Sequence, residues 1–301
     1  MQRSRLSSDP TDGIDPRVST KRRQELMPLT ISLQTASAIP LEVDTVVLEA
    51  VRAQSADDVR RTLIQRGNQQ VPLGEFFNVD GSAAEDNTLV WQGDCSKVKL
   101  IGNKLAGGTV RVEGNAGMHL GAEMTGGEVI VEGNVADWAG AEMHGGRIHV
   151  RGNAGHLVGG VYRGGHKGMT NGEILIDGNA GNEVGHGMRR GLIAIAGDVG
   201  DFAGVGLIAG TILVGGSGGI RHGAGMKRGT VAFLGAESGF DPLPTFRSAG
   251  PFQPTYLRIL LRELRTKGFS VPEGATDAVY ERWCGDLVEL GKGELLVRQA
   301  V

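Results

Sequence analysis

A 19-residue period in the middle of the chain constrains the fold more than any other feature. Gly127-Glu-Val-Ile-Val-Glu-Gly-Asn134 and Gly146-Arg-Ile-His-Val-Arg-Gly-Asn153 lie 19 residues apart. The same frame recurs at Gly108–Asn115, Gly172–Asn179, Gly191–Asp198, Gly210–Ser217 and Gly229–Gly235, and Leu89–Asp94 is an imperfect earlier copy. Every step is 19 residues except Gly146 to Gly172, which is 26. The first half of each copy alternates apolar and polar residues and is rich in Ile and Val, a strand signal. Aligned copies stack apolar columns. Val110, Val129, Ile148, Ile174, Ile193, Ile212 and Val231 form one, and Val112 through Phe233 form its neighbour. Leu105, Met124, Met143, Met169, Met188, Leu207 and Met226 form a third, and Leu120, Ala139, Val158, Val184, Ala203 and His222 a fourth.

A unit of this length cannot hold two helices and their loops, but it can hold one coil of a parallel β-helix. The expected fold class is an all-β solenoid, a right-handed parallel β-helix of about seven coils with small α/β caps at each end. At a strand spacing of ~4.8 Å the rod would be ~34 Å long. Glycine supports this reading. Thirty-nine of the 50 glycines fall between Gly93 and Gly235, where sharp corners need them. The column Asn115, Asn134, Asn153, Asn179, continued by Asp198 and Ser217, should sit at one corner, tolerate left-handed backbone there and bond coil to coil. The outward column Glu113, Glu132, Arg151, Asp177 reads as a solvated or partner-facing surface.

The flanks differ from this middle. Residues 1–27 read as a disordered leader, and Met27 as a possible translation start. Residues 28–88 read as an N-terminal capping region of strands plus one helix, opened by Ser55 and running to Arg66. The β-helix spans 89–235. Residues 236–301 read as an extension: a proline-rich loop, an amphipathic helix Tyr256–Lys267, a second short helix about Asp277–Cys284, and a hairpin of Asp286–Leu290 and Glu294–Val297.

Chemistry is harder to find. The net charge of −3 gives no global reason to expect nucleic acid. Cys95 and Cys284 lack metal-ligand spacing and suit a reducing cytoplasm. The sequence has no long apolar run to cross a membrane. His119, His144, His149, His156, His166, His186 and His222 fall in seven different columns, so the expectation is no metal site, no catalytic set and no cofactor held by this chain. The irregular 26-residue step inserts seven residues around Gly160-Val-Tyr-Arg-Gly-Gly-His-Lys-Gly168. Such an insertion emerges as a loop. Tyr162, Arg163, His166 and Lys167 on it could meet a partner or an anionic carrier, although a neutral surface loop remains open.

The coils typified by Gly114–Met124, the interruption Tyr162–Met169 and Leu73-Gly-Glu-Phe-Phe77 resemble the C subunit of formylmethanofuran dehydrogenase. The repeat is also similar to the C-terminal β-helix domain of glutamate synthase. The tail, Tyr280–Asp286 and Gly291–Leu296, more closely resembles the C subunit of the bacterial formyltransferase/hydrolase complex. The resemblance covers roughly residues 29–298. It implies a non-catalytic scaffold beside sister subunits A, B and D. It implies a complex that moves a formyl group from formyl-tetrahydromethanopterin to a methanofuran-type carrier and releases formate, with zinc in a sister subunit. Two alternatives stay open: the C subunit of a tungsten or molybdenum formylmethanofuran dehydrogenase, and a stand-alone β-helix enzyme such as a lyase.

Overall fold

The computed structural model describes residues 27–235 and 240–299. The expected leader, Met27 apart, lies outside the described residues. The chain is mostly β. Its strands are β1 (Leu29–Leu33), β2 (Leu41–Glu42), β3 (Leu63–Arg66), β4 (Gln69–Pro72), β5 (Phe77–Asp80), β6 (Thr88–Gln92) and β7 (Val98–Lys99). The repeats then supply β8 (Thr109–Glu113), β9 (Glu128–Val131), β10 (Arg147–Val150), β11 (Glu173–Ile176), β12 (Leu192–Ile195), β13 (Thr211–Val214) and β14 (Arg228–Phe233). The tail adds β15 (Arg247–Phe252), β16 (Tyr280–Gly285) and β17 (Lys292–Arg298). The α-helices are α1 (Leu48–Val51), α2 (Ala56–Arg61) and α3 (Thr255–Thr266).

One sheet of 13 strands runs in the order β15-β16-β17-β14-β13-β12-β11-β10-β9-β8-β6-β1-β5. From β6 to β14 every pairing is parallel and joins equivalent repeat positions. Val129 pairs with Ile148, Ile148 with Ile174 and Ile174 with Ile193. A second parallel series links Cys95, Ala116, Val135, Ala154, Ala180, Val199 and Gly218 by single bridges. All four apolar columns are buried, His222 included at 4% exposure. The interior is therefore filled rung by rung, each β-branched side chain lying on its counterpart one repeat away.

The asparagine column does bond between repeats. Oδ1 of Asn115, Asn134, Asn153 and Asn179 accepts the backbone N–H of the column's next residue at 2.8–2.9 Å, and Asp198 serves Ser217 at 2.7 Å. A parallel ladder had no sequence expectation: Asp137 accepts from His156 N, His156 Nδ1 from Asn182 N, Asn182 from Asp201 N and Asp201 from Ile220 N. The left-handed corner is not at asparagine. One left-handed corner falls on His119, Trp138, Leu157, Glu183, Phe202 and Arg221, with φ between 59° and 63°, and another on Lys104, Glu123 and Glu142, with φ between 50° and 57°. Asparagine is used there as an acceptor for an otherwise unpaired N–H, and extended or bent backbone suffices for that.

The flanks correct several expectations. Helix α2 begins as expected, with the Ser55 hydroxyl accepting from Asp58 N at 3.2 Å, but ends at Arg61. Residues beyond it form the β3–β4 hairpin, in which Arg66 faces Gln69 across the turn Gly67-Asn68; a Gly-Asn pair between two short strands favours such a turn. Helix α1 was also unexpected. In the tail, the second helix does not form. Tyr280–Gly285 is strand β16, held on both sides by antiparallel ladders to β15 and β17. Two ladders satisfy more backbone groups than two isolated helical turns can. The hairpin is therefore β16–β17, and Asp286–Gly291 is its turn. Within the supposed loop, β15 forms at the sheet edge, where Pro251 needs no partner for a missing N–H.

Helix α3 packs on the outer face of the last repeats. Leu257, Leu261 and Leu264 join Leu175, Ala194, Leu213, Ala232 and Leu296 in a second core. The outward column that reads Arg111, Ile130, His149 in earlier repeats turns to Leu175, Ala194, Leu213, Ala232, and that change marks where the helix lies. At its end Lys267 bonds Glu173 and Glu263, each at 2.9 Å.

Candidate functional site

The inserted loop leaves the stack after Gly160 and rejoins it at Met169. Gly159 N bonds Ala139 O, and Met169 N bonds Gly159 O, both at 2.8 Å. Met169 thus resumes the methionine column, and the seven extra residues are extruded without disturbing the core. Val161 N reaches His186 O at 3.1 Å, which ties the loop to the following repeat.

Tyr162 folds back over the preceding repeats. Its backbone N–H donates to Glu142 Oε1 at 3.1 Å. Its hydroxyl lies 3.1 Å from His119 Nδ1. The His119 ring stacks on Trp138 at 5.4 Å between centroids, and the Tyr162 ring lies 5.4 Å from His119. Burial chiefly, then the Lys99 charge, holds the His119 imidazole below its ordinary range. Burial chiefly, then Glu123 and Glu142, pushes the Tyr162 phenol up to about 12. A neutral imidazole and a neutral phenol follow, with the phenol O–H able to donate to Nδ1.

Beneath the loop is a cavity of about 430 Å³ walled by Trp138, Leu157, Tyr162, Arg163, Glu183 and His186, among others. Glu183 and His186 form a pair at 2.9 Å. Of the four loop residues singled out in the sequence, Tyr162 and Arg163 line this cavity, while exposed His166 and Lys167 do not. Sequence pattern had not singled out Trp138, Glu183 and His186 as wall residues, nor His119 as the partner of Tyr162. The period did carry a signal for two of them: His119 and Trp138 occupy the same column, 19 residues apart. Both, with Leu157 and Glu183, sit at the left-handed corner, an uncommon conformation for bulky residues. This site can hold a ring against Trp138 and an anionic group at Arg163.

The other histidines are dispersed. His149, only 3% exposed, bonds Asp177 at 3.0 Å beside Arg151, and His222 bonds Gly219 O at 3.1 Å beneath Phe233 and Phe240. Among the described residues no three or more His, Cys, Asp or Glu side chains are placed to hold a metal ion. No helix among them is long and apolar enough to cross a membrane.

A repeat stack with one extruded loop and a helix-braced flank defines the architectural class, and the comparisons narrow it. No protein-family model matches the sequence. A chain in the crystal structure of the formyltransferase/hydrolase complex (FhcABCD) from Methylorubrum extorquens in complex with methylofuran is 32% identical, with a TM-score of 0.81 over 90% of this chain and 100% of that one. The C subunit of the molybdenum-containing formylmethanofuran dehydrogenase 1 of Methanothermobacter marburgensis is 43% identical over 83 residues, 28% of this chain and 21% of the relative. The C subunit of the tungsten-containing formylmethanofuran dehydrogenase 2 of Methanothermobacter thermautotrophicus is 39% identical over 87 residues, 28% of this chain and 32% of the relative. The matched segment thus spans about a fifth to a third of these two curated relatives. The chain belongs to the family of formylmethanofuran dehydrogenase C subunits. The molybdenum and tungsten in the relatives' names have no counterpart ligand set among the described residues.

Proposed function

We propose that this chain is the non-catalytic scaffold subunit of a cytoplasmic formyltransferase/hydrolase complex, joined to sister subunits A, B and D. In this reading the complex transfers the formyl group of formyl-tetrahydromethanopterin to a methanofuran-type carrier and releases formate. The chain itself binds no cofactor, and zinc resides in a sister subunit. The observation that carries the reading is the likeness to the whole length of one chain of the Methylorubrum extorquens complex.

The mechanical part of the role rests on a finer fold assignment. We take residues 89–235 as a right-handed parallel β-helix of about seven coils, residues 28–88 as its N-terminal cap and 236–301 as its C-terminal extension. The in-register pairing of equivalent positions and the filled apolar columns support it. A close-packed interior of this kind is hard to compress and transmits strain, which suits a brace. Tyr162, Arg163, His166 and Lys167 form the contact to a sister subunit or to the carrier. The cavity supplies a ring-sized shelf and a guanidinium for that contact.

The test is expression of the full chain alone and together with its sister subunits. The complex should transfer and hydrolyse the formyl group, and the isolated chain should do neither. Activity in the metal-free isolated chain overturns the scaffold role. Unchanged assembly and turnover after Arg163→Glu with Lys167→Glu removes the loop from it. A second reading, the C subunit of a tungsten or molybdenum dehydrogenase, draws on the local matches to the methanogen proteins. Tungsten or molybdenum in the purified complex would favour it, and zinc alone the first reading.

A further inference from the structure

One edge of the stack changes character along its length. The two positions that precede each repeat strand's leading glycine are Thr125-Gly126, His144-Gly145 and Thr170-Asn171 in earlier repeats. They become Arg189-Arg190, Ile208-Ala209 and Lys227-Arg228 in the last three, and Lys292 continues the row on β17, where it pairs with Arg228. The backbone places these positions in line. Arg189 N bonds Met169 O, Ile208 N bonds Met188 O and Lys227 N bonds Leu207 O, at 2.7–2.8 Å. At ~4.8 Å per strand, the cations spread over three spacings, a row ~14 Å long.

All five cations are exposed, and none has a carboxylate within ion-pair distance among the described residues. The arginines of the earlier repeat strands are paired instead: Arg111 with Glu132, Arg147 with Glu128 and Glu173, and Arg151 with Asp177. Arg228 beside Lys292 is a like-charge neighbour pair, which disfavours the isolated fold. Five uncompensated cations aligned on adjacent repeats, where the earlier strands pair theirs, fit a surface neutralised by something else.

We propose that this edge docks an extended acidic segment of a sister subunit. Same-face side chains of an extended chain recur every ~6.8 Å, so three carboxylates would span a ~14 Å row. Between the cations stand Ile208 and Ala209, not the aromatic side chains on which nucleobases stack, so a polypeptide is favoured over a nucleic acid. The inference rests on the multi-subunit reading above but uses none of the loop residues.

The test uses the full chain, with a labelled Glu-Ser repeat peptide and a single-stranded oligodeoxythymidine as probes. The peptide should bind, and Arg190→Glu with Arg228→Glu should weaken it by about tenfold or more at low salt. Binding should fade between about 0.1 and 1 M salt, as the screening length falls from about 10 to about 3 Å. The neutral pair Arg190→Gln with Arg228→Gln should weaken it less, and the distant control Arg52→Glu with Lys97→Glu should not change it. In co-expression the charge-reversed chain should lose its complex at lower salt than wild type. Peptide binding indifferent to charge reversal, tighter binding of the oligonucleotide, or assembly of the reversed chain at wild-type salt tolerance would each overturn the proposal. Failure of the wild-type chain to assemble at all would instead overturn the scaffold reading.

Discussion

Replacing Gly140 by alanine probes how closely the stacked interior is packed. Gly140 has φ +66°, and a Cβ there would lie 2.5 Å from Ile174 Cδ1 and 3.2 Å from Ile148 Cδ1. Two penalties add. Left-handed backbone disfavours a side chain by about 1–2 kcal/mol. Forcing a methyl into a filled core adds about 1–3 kcal/mol. The sum is about 2–5 kcal/mol, large beside ordinary domain stabilities. Gly164 supplies the comparison: its φ is +85°, but a Cβ there meets nothing within 4 Å, so Gly164→Ala should show the backbone penalty alone. Urea unfolding of both variants, compared by midpoint and slope, reads the difference. Ile174→Val deletes the obstructing Cδ1, so adding it to Gly140→Ala should recover part of the loss despite a penalty of about 0.5–1.5 kcal/mol on its own. If Gly140→Ala is no more damaging than Gly164→Ala, the isoleucine column does not fill the corner as described.

Other perturbations reach other parts of the structure. Asn153→Leu removes the acceptor for Asn179 N and should lower stability by about 1 kcal/mol, whereas Asn153→Asp should be nearly neutral because Asp198 already fills that role; equal losses in thermal melts would contradict the ladder. Burial holds His119 and His222 below the ordinary histidine value of 6.5. The unfolded chain therefore takes up protons first on acidification, so their contribution is fully present above pH 6.5 and is lost as the pH falls through and below it. Urea midpoints should drop between neutral and mildly acidic pH, and His222→Leu should flatten part of that slope. Cys95 is fully buried, and burial chiefly, then Asp94, pushes its thiol up to about 12. Iodoacetamide should modify it only on unfolding; mass-detected labelling in native buffer would show that its repeat opens.

The repeat, its apolar columns and the asparagine ladder were all readable from the order of residues. Each follows from residue type at a fixed period, because stacking equal units places equal positions one strand spacing apart. Two further features left weaker marks. The outward column turns apolar at Leu175, where α3 lies, and Trp138 falls one period after His119. Contacts between distant segments settled what remained. Tyr162 reaches His119 across 43 positions because an extruded loop folds back over two repeats, and no period encodes that. Tyr280–Gly285 is a strand because β15 and β17 flank it, although its own residues tolerate a helix. Local propensity is worth tenths of a kcal/mol per residue to about 1, and two ladders of hydrogen bonds outweigh it.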